Sequence, residues 1–442
     1  MLDWLKRSFI SHSLVFEILQ KAFLTLIIRA SGAVTGFFFT SMISQNYGAN
    51  GLGAYALSFS TATLLTTIIL LGFDLSLMKY TAIYSHKSSE KLVSNIILSA
   101  LVYIIPGSII GAFALYFSAS TLSHLMNADQ LTTNLLQQFS YIVPVIVLVK
   151  IFCAILRGTS KVLWAQFIDG LCITVFAGLV IFKFAEGTEE QISVIAYSVG
   201  ATIAAISALS LIAPHIKQAP SPRAVTMFIR KLMRTGLPSM VAIFTLLITE
   251  WMYLFFLSNY SDLSEVGIFR VSWQVSMLIA FVTVAADSIL SPKVASLYAQ
   301  AEIKLLTIVL NRIVLIYAAA SISLLILISL FSEPILSFFG DSFTQAKPIL
   351  ITLCIYQAIA GTIGIGGKIM VMTGHEKIEL LISVITLILV VVLSIFIVPK
   401  YGAIGAAIIA VSTMLFRCLL TSYIVAKKLH IYFIWPEVLF QK

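Results

Sequence analysis

Charged residues are scarce in this chain. Of 442 residues, 28 are Lys or Arg and 19 are Asp or Glu, 11% in total, whereas hydrophobic residues make up 60%. Soluble domains carry about 25% charged residues, and a chain with so few charges cannot cover itself with polar surface in water. Apolar runs of about 20 residues recur along the whole length, each long enough to cross a hydrocarbon core of roughly 30 Å. The sequence therefore predicts an all-α polytopic membrane protein.

Cysteines and long loops are also few. The four cysteines lie inside apolar runs at unrelated spacings, so we expect no disulfide and no metal site: Cys153, Cys172, Cys354 and Cys418. The longest predicted loop, 215–236, leaves no room for a soluble catalytic or nucleotide-binding domain. The glycine-rich stretch "GTIGIGGKIM" has Thr362 where a Walker pattern begins with glycine, and Ile369 where it needs Ser or Thr. We expect no enzyme, no catalytic residue and no cofactor.

Twelve membrane spans are predicted from the apolar runs. Their approximate bounds are 22–44, 52–78, 93–117, 138–156, 162–183, 192–214, 236–258, 265–291, 305–331, 348–372, 379–398 and 402–426. The side that holds both termini and the loops after even-numbered spans carries nineteen Lys and Arg residues, and the other side carries three. The positive-inside rule makes the first side, with both termini, cytoplasmic. The net charge of +9 then reflects topology, and no nucleic-acid partner is expected.

Two short sequences recur between the halves of the chain. "GAYALS", 53–58, opens span 2 and "GIFRVS", 267–272, opens span 8, 214 residues later. "LRGTSK", 156–161, closes span 4 and "MTGHEK", 372–377, closes span 10, with glycines 216 residues apart. The agreement in offset indicates an internal repeat. Because six spans are an even number, the repeats are parallel, and we expect two pseudo-twofold-related six-helix lobes around a central cleft.

This pattern predicts five parts. They are an amphipathic interfacial segment at 1–20, an N-lobe at 21–214, a cytoplasmic basic linker at 215–235, a C-lobe at 236–430 and a C-terminal tail at 431–442. The first segment lacks a signal-peptide cleavage site, and its apolar residues fall at helical spacing. In the tail, "EVLFQ" resembles the core of a viral protease site used in protein expression, so the tail is given no functional weight.

Ten ionisable residues fall inside the predicted spans, away from the end positions of each span. They are six bases and four acids: Arg29, Lys150, Arg270, Arg312, Lys368 and Arg417, with Asp74, Asp169, Glu250 and Asp287. A charge facing lipid at mid-depth costs at least about 2.5–3.5 kcal/mol, so such groups usually face a cavity or a partner. The excess of bases favours an anionic cargo, since guanidinium groups match phosphate oxygens. A phosphate-headed lipid fits this pattern best.

The bases differ in how strongly their positions indicate a functional role. Arg29 is the eighth residue of its span, too deep for the side chain to reach the interface easily, and small residues flank it. Arg270 lies in the outer part of span 8, where it either extends to the outer surface or faces the cleft. Lys368 and Arg417 lie in the cytoplasmic halves of their spans. Each either extends to the cytoplasmic surface or faces the cleft. We take these four as candidate diphosphate-binding residues, and Lys150 and Arg312 as structural.

Glu250 lies mid-span in "LLITEWMY", too deep for a short side chain to reach water outside a cavity. It is the candidate ion-coupling residue, with H⁺ and Na⁺ as the two ions left open. The alternative is a buried ion pair with an arginine of a span. Asp169, in turn, is predicted to pair with Lys150 or Arg157.

Four stretches resemble Wzx-type O-unit flippases of the polysaccharide transporter family. They cover the junctions of spans 1–2, 7–8, 9–10 and 11–12: "YGANGLGAYALSFSTATLLTTIILLGFDLSLMKYTA", "LPSMVAIFTLLITEWMYLFFLSNYSDLSEVGIFRVSWQVSMLIAFV", "FFGDSFTQAKPILITLCIYQ" and "VPKYGAIGAAIIAVS". The wider group is the MOP exporter superfamily, with lipid II flippases and MATE exporters. The resemblance implies two six-helix lobes that form a V-shaped central cavity.

The resemblance also implies roles for residues. In the related lipid II flippases, arginines on spans 1 and 8 face the central cavity, and Arg29 and Arg270 match them by span. Those relatives have an arginine on span 2 that has no counterpart here. An acid on span 7 binds a cation in some relatives, and Glu250 is the candidate for that role.

The function that the resemblance implies is that of a flippase in the bacterial inner membrane. It would move an undecaprenyl-diphosphate-linked oligosaccharide to the periplasmic leaflet by alternating access, coupled to a proton or sodium gradient. Its expected partners are membrane lipids, a polysaccharide polymerase and a chain-length regulator, and the protein itself is expected to be a monomer. The alternatives are a cation-coupled multidrug exporter, a major-facilitator carrier and a membrane polymerase or ligase.

Overall fold

The computed structural model describes the backbone of residues 2–86, 89–184, 191–216 and 222–433. Side chains are described in these ranges except at 2–23, 26, 86, 282–289 and 291–292. Throughout this part of the chain the secondary structure is helical, with no strand. The predicted side-chain pattern of segment 1–20 lies outside the described residues, although its backbone is helical from Leu2.

Fourteen α-helices follow one another along the described part of the chain. They are α1 Leu2–Leu70, α2 Phe73–His86, α3 Glu90–Leu125, α4 Gln130–Gly158, α5 Val162–Gln166, α6 Ile173–Phe184, α7 Ile192–Ile212, α8 Pro222–Tyr260, α9 Leu263–Ala299, α10 Ile303–Leu330, α11 Ser332–Ser337, α12 Lys347–Thr362, α13 Ile365–Met372 and α14 Glu376–Leu429. A π-helix, Phe167–Cys172, joins α5 to α6, and short 3₁₀ turns follow α7 and precede α12.

Nine helical segments in the described part of the chain are long and apolar enough to cross a membrane. Two of them, in α1 and α14, contain a break and so make two spans each. Helix α9, part of whose side chains lie outside the described residues, supplies a further span. The total of twelve agrees with the sequence, and the prediction of an all-α polytopic membrane protein is confirmed.

The breaks in the two long helices fall at glycines in similar sequences, Tyr47-Gly48-Ala49 and Tyr401-Gly402-Ala403. Gly48 has φ 66° and Gly402 has φ 52°, the left-handed region that favours glycine. After the second break, Glu265 Oε2 accepts a hydrogen bond from Ala403 N at 2.6 Å and so caps the new helix segment. Each break ends one span and begins the next without a loop.

The chain folds into two compact units. Unit 1 comprises Met1–Asn46, Thr61–Ser120 and Thr133–Ile243, and unit 2 comprises Tyr47–Ser60, Thr121–Thr132 and Phe244–Lys442. The boundary between them cuts through α1, α3, α4 and α8, whereas the sequence-based lobes, 21–214 and 236–430, contain whole spans. The lobe boundaries stay a prediction.

Small residues bring helix backbones together inside unit 1. A Cβ atom on Gly158 would lie 1.8 Å from Thr81 Oγ1, and one on Gly200 would lie 2.3 Å from the Ile173 carbonyl oxygen. Helices in lipid gain little from burying apolar area against one another, so close backbone approach at small residues supplies much of their association. Helix α4 therefore packs tightly on α2, and α7 on α6.

One hydrophobic core of unit 2 is formed by apolar side chains of α9, α10, α13 and α14, with Leu306, Ile369 and Val425 almost fully buried. The first residues of the predicted tail belong to this core, because Ile431 and Phe433 are buried in it. Residues 434–442, including "EVLFQ", lie outside the described residues.

The predicted linker contains the first turns of a membrane helix. Helix α8 begins at Pro222 and continues to Tyr260, so most of the segment 215–235 is helical and runs directly into span 7. Proline suits the first position of a helix, and the internal Pro238 is tolerated because it lies in a long membrane helix. Residues 217–221 are outside the described residues.

Candidate functional site: the charged residues of the spans

In unit 1 a single carboxylate binds two cations of α4. Asp169 Oδ1 lies 2.7 Å from Lys150 Nζ, and Asp169 Oδ2 lies 2.6 Å from Arg157 Nη2. The Asp169 side chain is 15% exposed. The sequence left open which of the two bases pairs with Asp169, and the structure shows that both do. The structural interpretation of Lys150 agrees with this geometry.

Asp169 lies in the π-helix Phe167–Cys172, which sequence reasoning missed. π-helices are rare and often occur at functional sites. Helix α1 packs against it, since a Cβ on Gly32 would lie 3.4 Å from Leu171 N, and Thr35 Oγ1 lies 2.6 Å from Thr174 Oγ1. No residue pattern in the sequence marks the extra residue of a π-turn.

Arg29 lies on α1 about one turn before Gly32. Its side chain is exposed, and it makes no hydrogen bond or ion pair with any residue whose side chain the structure describes. The sequence suggests that the small residues beside Arg29 leave space for its guanidinium. The structure gives Gly32 a second role, because it allows α1 to approach the π-helix. Within the described residues, Arg29 is thus an uncompensated cation in an apolar helix of unit 1.

In unit 2 the structure brings together two of the predicted residues, Glu250 on α8 and Arg270 on α9. Both are half-buried, and the charge of Arg270 acts electrostatically on Glu250. Neither side chain has a hydrogen bond or an ion pair within 4 Å among the described residues. The two are neighbours but not a closed salt bridge, which leaves the carboxylate oxygens and the guanidinium available to other ligands.

Aromatic side chains lie near Glu250. Tyr253 packs against Phe269 and Trp273, with ring centroids 5.9 and 6.1 Å apart, and Trp273 packs against Tyr356 at 5.1 Å. Tyr356 lies within electrostatic range of Glu250. The Trp273 Nε1 atom is buried and has no hydrogen-bond partner within the described part of the chain. Glu250 therefore lies beside an aromatic cluster in which one hydrogen-bond donor, Trp273 Nε1, has no acceptor among the described residues.

Arg417 on α14 is paired with an acid that sequence reasoning missed. Its Nη2 donates to Glu379 Oε1 at 2.5 Å, and Glu379 is only 8% exposed. Glu379 lies in the first turn of α14, at the edge of predicted span 11, so it was not counted among the span acids. Counting acids in the first turn of each span would have found it.

The predicted site residues thus fall into separate groups. Arg29 belongs to unit 1, and Arg270, Lys368, Arg417 and Glu250 belong to unit 2. Lys368 is half-buried on α13, next to Gly367, where a Cβ would lie 2.8 Å from Glu379 Oε1. The assignment of these residues to a diphosphate site and of Glu250 to ion coupling stays a prediction.

A helical chain with twelve spans is a multi-pass membrane protein. Residues 18–297, nearly two thirds of the chain, match the family model described as "Polysaccharide biosynthesis protein". The chain belongs to this family, and the family resemblance predicted from the sequence is confirmed. No curated protein matches the sequence.

Solved structures with the same fold are transporters. An inward-facing multidrug resistance MATE family transporter of the MOP superfamily matches with TM-score 0.74 at 14% identity, over 90% of this chain and 96% of the other. The lipid II flippase MurJ, in an inward closed conformation, matches with TM-score 0.73 at 18% identity, over 91% and 87%. A MOP superfamily transporter from Pyrococcus furiosus matches with TM-score 0.64 at 14% identity, over 91% and 93%. At these identities the likeness shows the fold, so the chain shares its fold with transporters of the MOP superfamily.

Proposed function

We propose that the chain moves an undecaprenyl-diphosphate-linked oligosaccharide from the cytoplasmic to the periplasmic leaflet of the bacterial inner membrane by alternating access, with both termini in the cytoplasm. One observation carries the proposal. Acids bind Lys150, Arg157 and Arg417. Arg29 and Arg270, which match cavity arginines of related flippases by span, have no bonded partner among the described residues. An uncompensated guanidinium in a span is stable only near water or an anion, and a diphosphate supplies the oxygen acceptors that arginine binds bidentately.

We expect Arg29→Ala and Arg270→Ala each to slow lipid-linked oligosaccharide translocation by about tenfold or more, since a hydrogen bond to a charged group contributes about 1.5–3 kcal/mol. The measurement is the initial rate of translocation in proteoliposomes, read as the fraction of substrate that becomes accessible in the outer leaflet. Arg→Lys variants should recover part of the rate, because lysine keeps the charge and loses the bidentate geometry.

Arg312→Ala is the matched control, since Arg312 is an exposed arginine of α10 that the sequence assigns a structural role. Its rate should stay near that of the unaltered protein. Unchanged rates in both Arg29→Ala and Arg270→Ala would refute the diphosphate role. If the protein were instead a cation-coupled multidrug exporter, a strain that lacks it would become sensitive to drugs. Lipid translocation would stay intact in that strain.

Coupling to an ion gradient is proposed through Glu250. Its carboxylate lies near Arg270 without bonding to it, so a bound H⁺ or Na⁺ and the guanidinium compete for the same negative charge. Binding of the ion then frees Arg270 for the anionic cargo, and release of the ion restores the attraction. This competition links ion and cargo binding through a single pair of side chains.

Glu250→Gln should remove the dependence of translocation on an imposed gradient and leave a basal rate. The assay compares proteoliposomes under a pH gradient, under a sodium gradient and under neither. Glu333→Gln, at an exposed acid of α11, is the control and should keep the full response. If Glu250→Gln still responds to the gradient as the unaltered protein does, coupling occurs elsewhere.

A further inference from the structure

The first four turns of α8 present two different faces. One face packs on α2 inside unit 1: Lys231 Nζ donates to Tyr84 OH at 2.7 Å and lies 4.5 Å from the Tyr80 ring centroid. The Tyr80 hydroxyl also lies 2.9 Å from Thr235 Oγ1, and Phe228 is almost fully buried. These contacts fix the rotation of the helix, and thereby fix which residues lie on the opposite face.

The opposite face contains a cavity of about 530 Å³ that the function proposed above does not use. It is lined by Thr226, Ile229, Arg230, Met233 and Arg234. The two arginines are one helical turn apart, both are exposed, and neither has a hydrogen bond or ion pair among the described residues. In the same part of the chain no acid lines the cavity, so its positive charge is uncompensated there.

The same face becomes apolar towards the middle of α8. Leu237 and Val241 follow Arg234 at helical spacing, and each is 41% exposed. A ligand that places an anionic group on Arg230 and Arg234 can therefore lay an apolar chain along Leu237 and Val241. A free phosphate ion would use only the first half of this surface, whereas a lipid would use both halves.

We propose that the cavity of Arg230 and Arg234 binds the phosphate group of an anionic phospholipid in the cytoplasmic leaflet. Helix α8 begins on the side of the membrane that carries most of the Lys and Arg residues, which the positive-inside rule assigns to the cytoplasm. Anionic lipids give that leaflet a negative surface that attracts basic residues near the membrane. Guanidinium groups bind phosphate oxygens bidentately.

The test measures lipid binding to the purified full-length protein by native mass spectrometry. The probes are dioleoyl phosphatidylglycerol, dioleoyl phosphatidylcholine and undecaprenyl diphosphate. We expect the phosphatidylglycerol affinity of Arg230→Gln/Arg234→Gln to fall about tenfold, since charge-assisted hydrogen bonds to both guanidinium groups are lost. The matched control, Lys304→Gln/Arg312→Gln, removes two exposed charges from α10 and should stay within about twofold of the unaltered protein.

Every other outcome contradicts the proposal. An equal loss in both double variants would mean that only net charge attracts the lipid. No loss in the α8 variant, or equal affinity for phosphatidylcholine and phosphatidylglycerol, would exclude a phosphate site selective for anionic lipid. If the two arginines bind undecaprenyl diphosphate and not phosphatidylglycerol, the cavity holds the carrier lipid instead.

Two controls accompany the test. The melting midpoint in phosphatidylcholine nanodiscs checks that each variant is folded. Arg230→Lys/Arg234→Lys, which keeps the charge, should retain part of the affinity for phosphatidylglycerol.

Discussion

Replacing Asp169 by Asn should destabilise the protein by about 3 kcal/mol. Asp169 binds Lys150 and Arg157 at 2.7 and 2.6 Å, and its side chain is 15% exposed. Without the carboxylate, two cations of α4 remain in an apolar setting with no counter-charge. We use the lower end of the cost of breaking a buried pair because the two bases are 43% and 29% exposed.

The measurement is the thermal unfolding midpoint in detergent, together with the yield of monodisperse protein. Asp341→Asn, at an exposed acid, is the matched control and should leave both unchanged. The triple variant Lys150→Met/Arg157→Met/Asp169→Leu should recover most of the loss, because replacing a whole ionic group by apolar side chains is often neutral. A midpoint for Asp169→Asn equal to that of the control would show that the ion pairs do not stabilise unit 1.

The class of protein and the number of spans could be predicted from the sequence because both depend on local composition. A run of about 20 apolar residues is sufficient to indicate a span, whatever lies beside it. The pairing of Asp169 with α4 could also be predicted, since Lys150 and Arg157 lie on the helix that precedes it in the same helical hairpin. Each of these predictions needs information from one segment or from two adjacent ones.

The pairing of Arg417 with Glu379 could not be read in the same way. The two residues lie on opposite sides of the break at Gly402, and their contact depends on how the two halves of α14 fold back and rotate. The π-helix at Asp169 likewise depends on one extra residue in a turn, which leaves no composition signal. The start of α8 at Pro222 could not be predicted either, because the prolines of segment 215–236 indicated breaks that a membrane helix accommodates.

Gly53→Ala should have a comparably large effect, because spans 2 and 8 touch backbone to backbone at this residue. A Cβ on Gly53 would lie 1.8 Å from the Leu263 carbonyl oxygen, and a Cβ on Gly267 would lie 2.1 Å from the Ala49 carbonyl oxygen. Gly53 and Gly267 are the glycines that open the two similar sequences, so equivalent positions of the predicted repeats lie against each other. The clash is with main-chain atoms, so the helices must separate, and we expect a loss of about 3 kcal/mol.

Gly107→Ala makes the same substitution in α3, where the nearest atom would be Ile69 Cγ2 at 3.9 Å, an ordinary contact. Its melting midpoint should equal or exceed that of the unaltered protein, since alanine favours helix more than glycine does. The double variant Gly53→Ala/Gly267→Ala supplies a stricter test. Once one added methyl group has separated spans 2 and 8, the second has space, so the double variant should lose clearly less than the sum of the single losses. Additive losses, or a Gly53→Ala variant as stable as Gly107→Ala, would show that the repeats do not meet through this glycine pair.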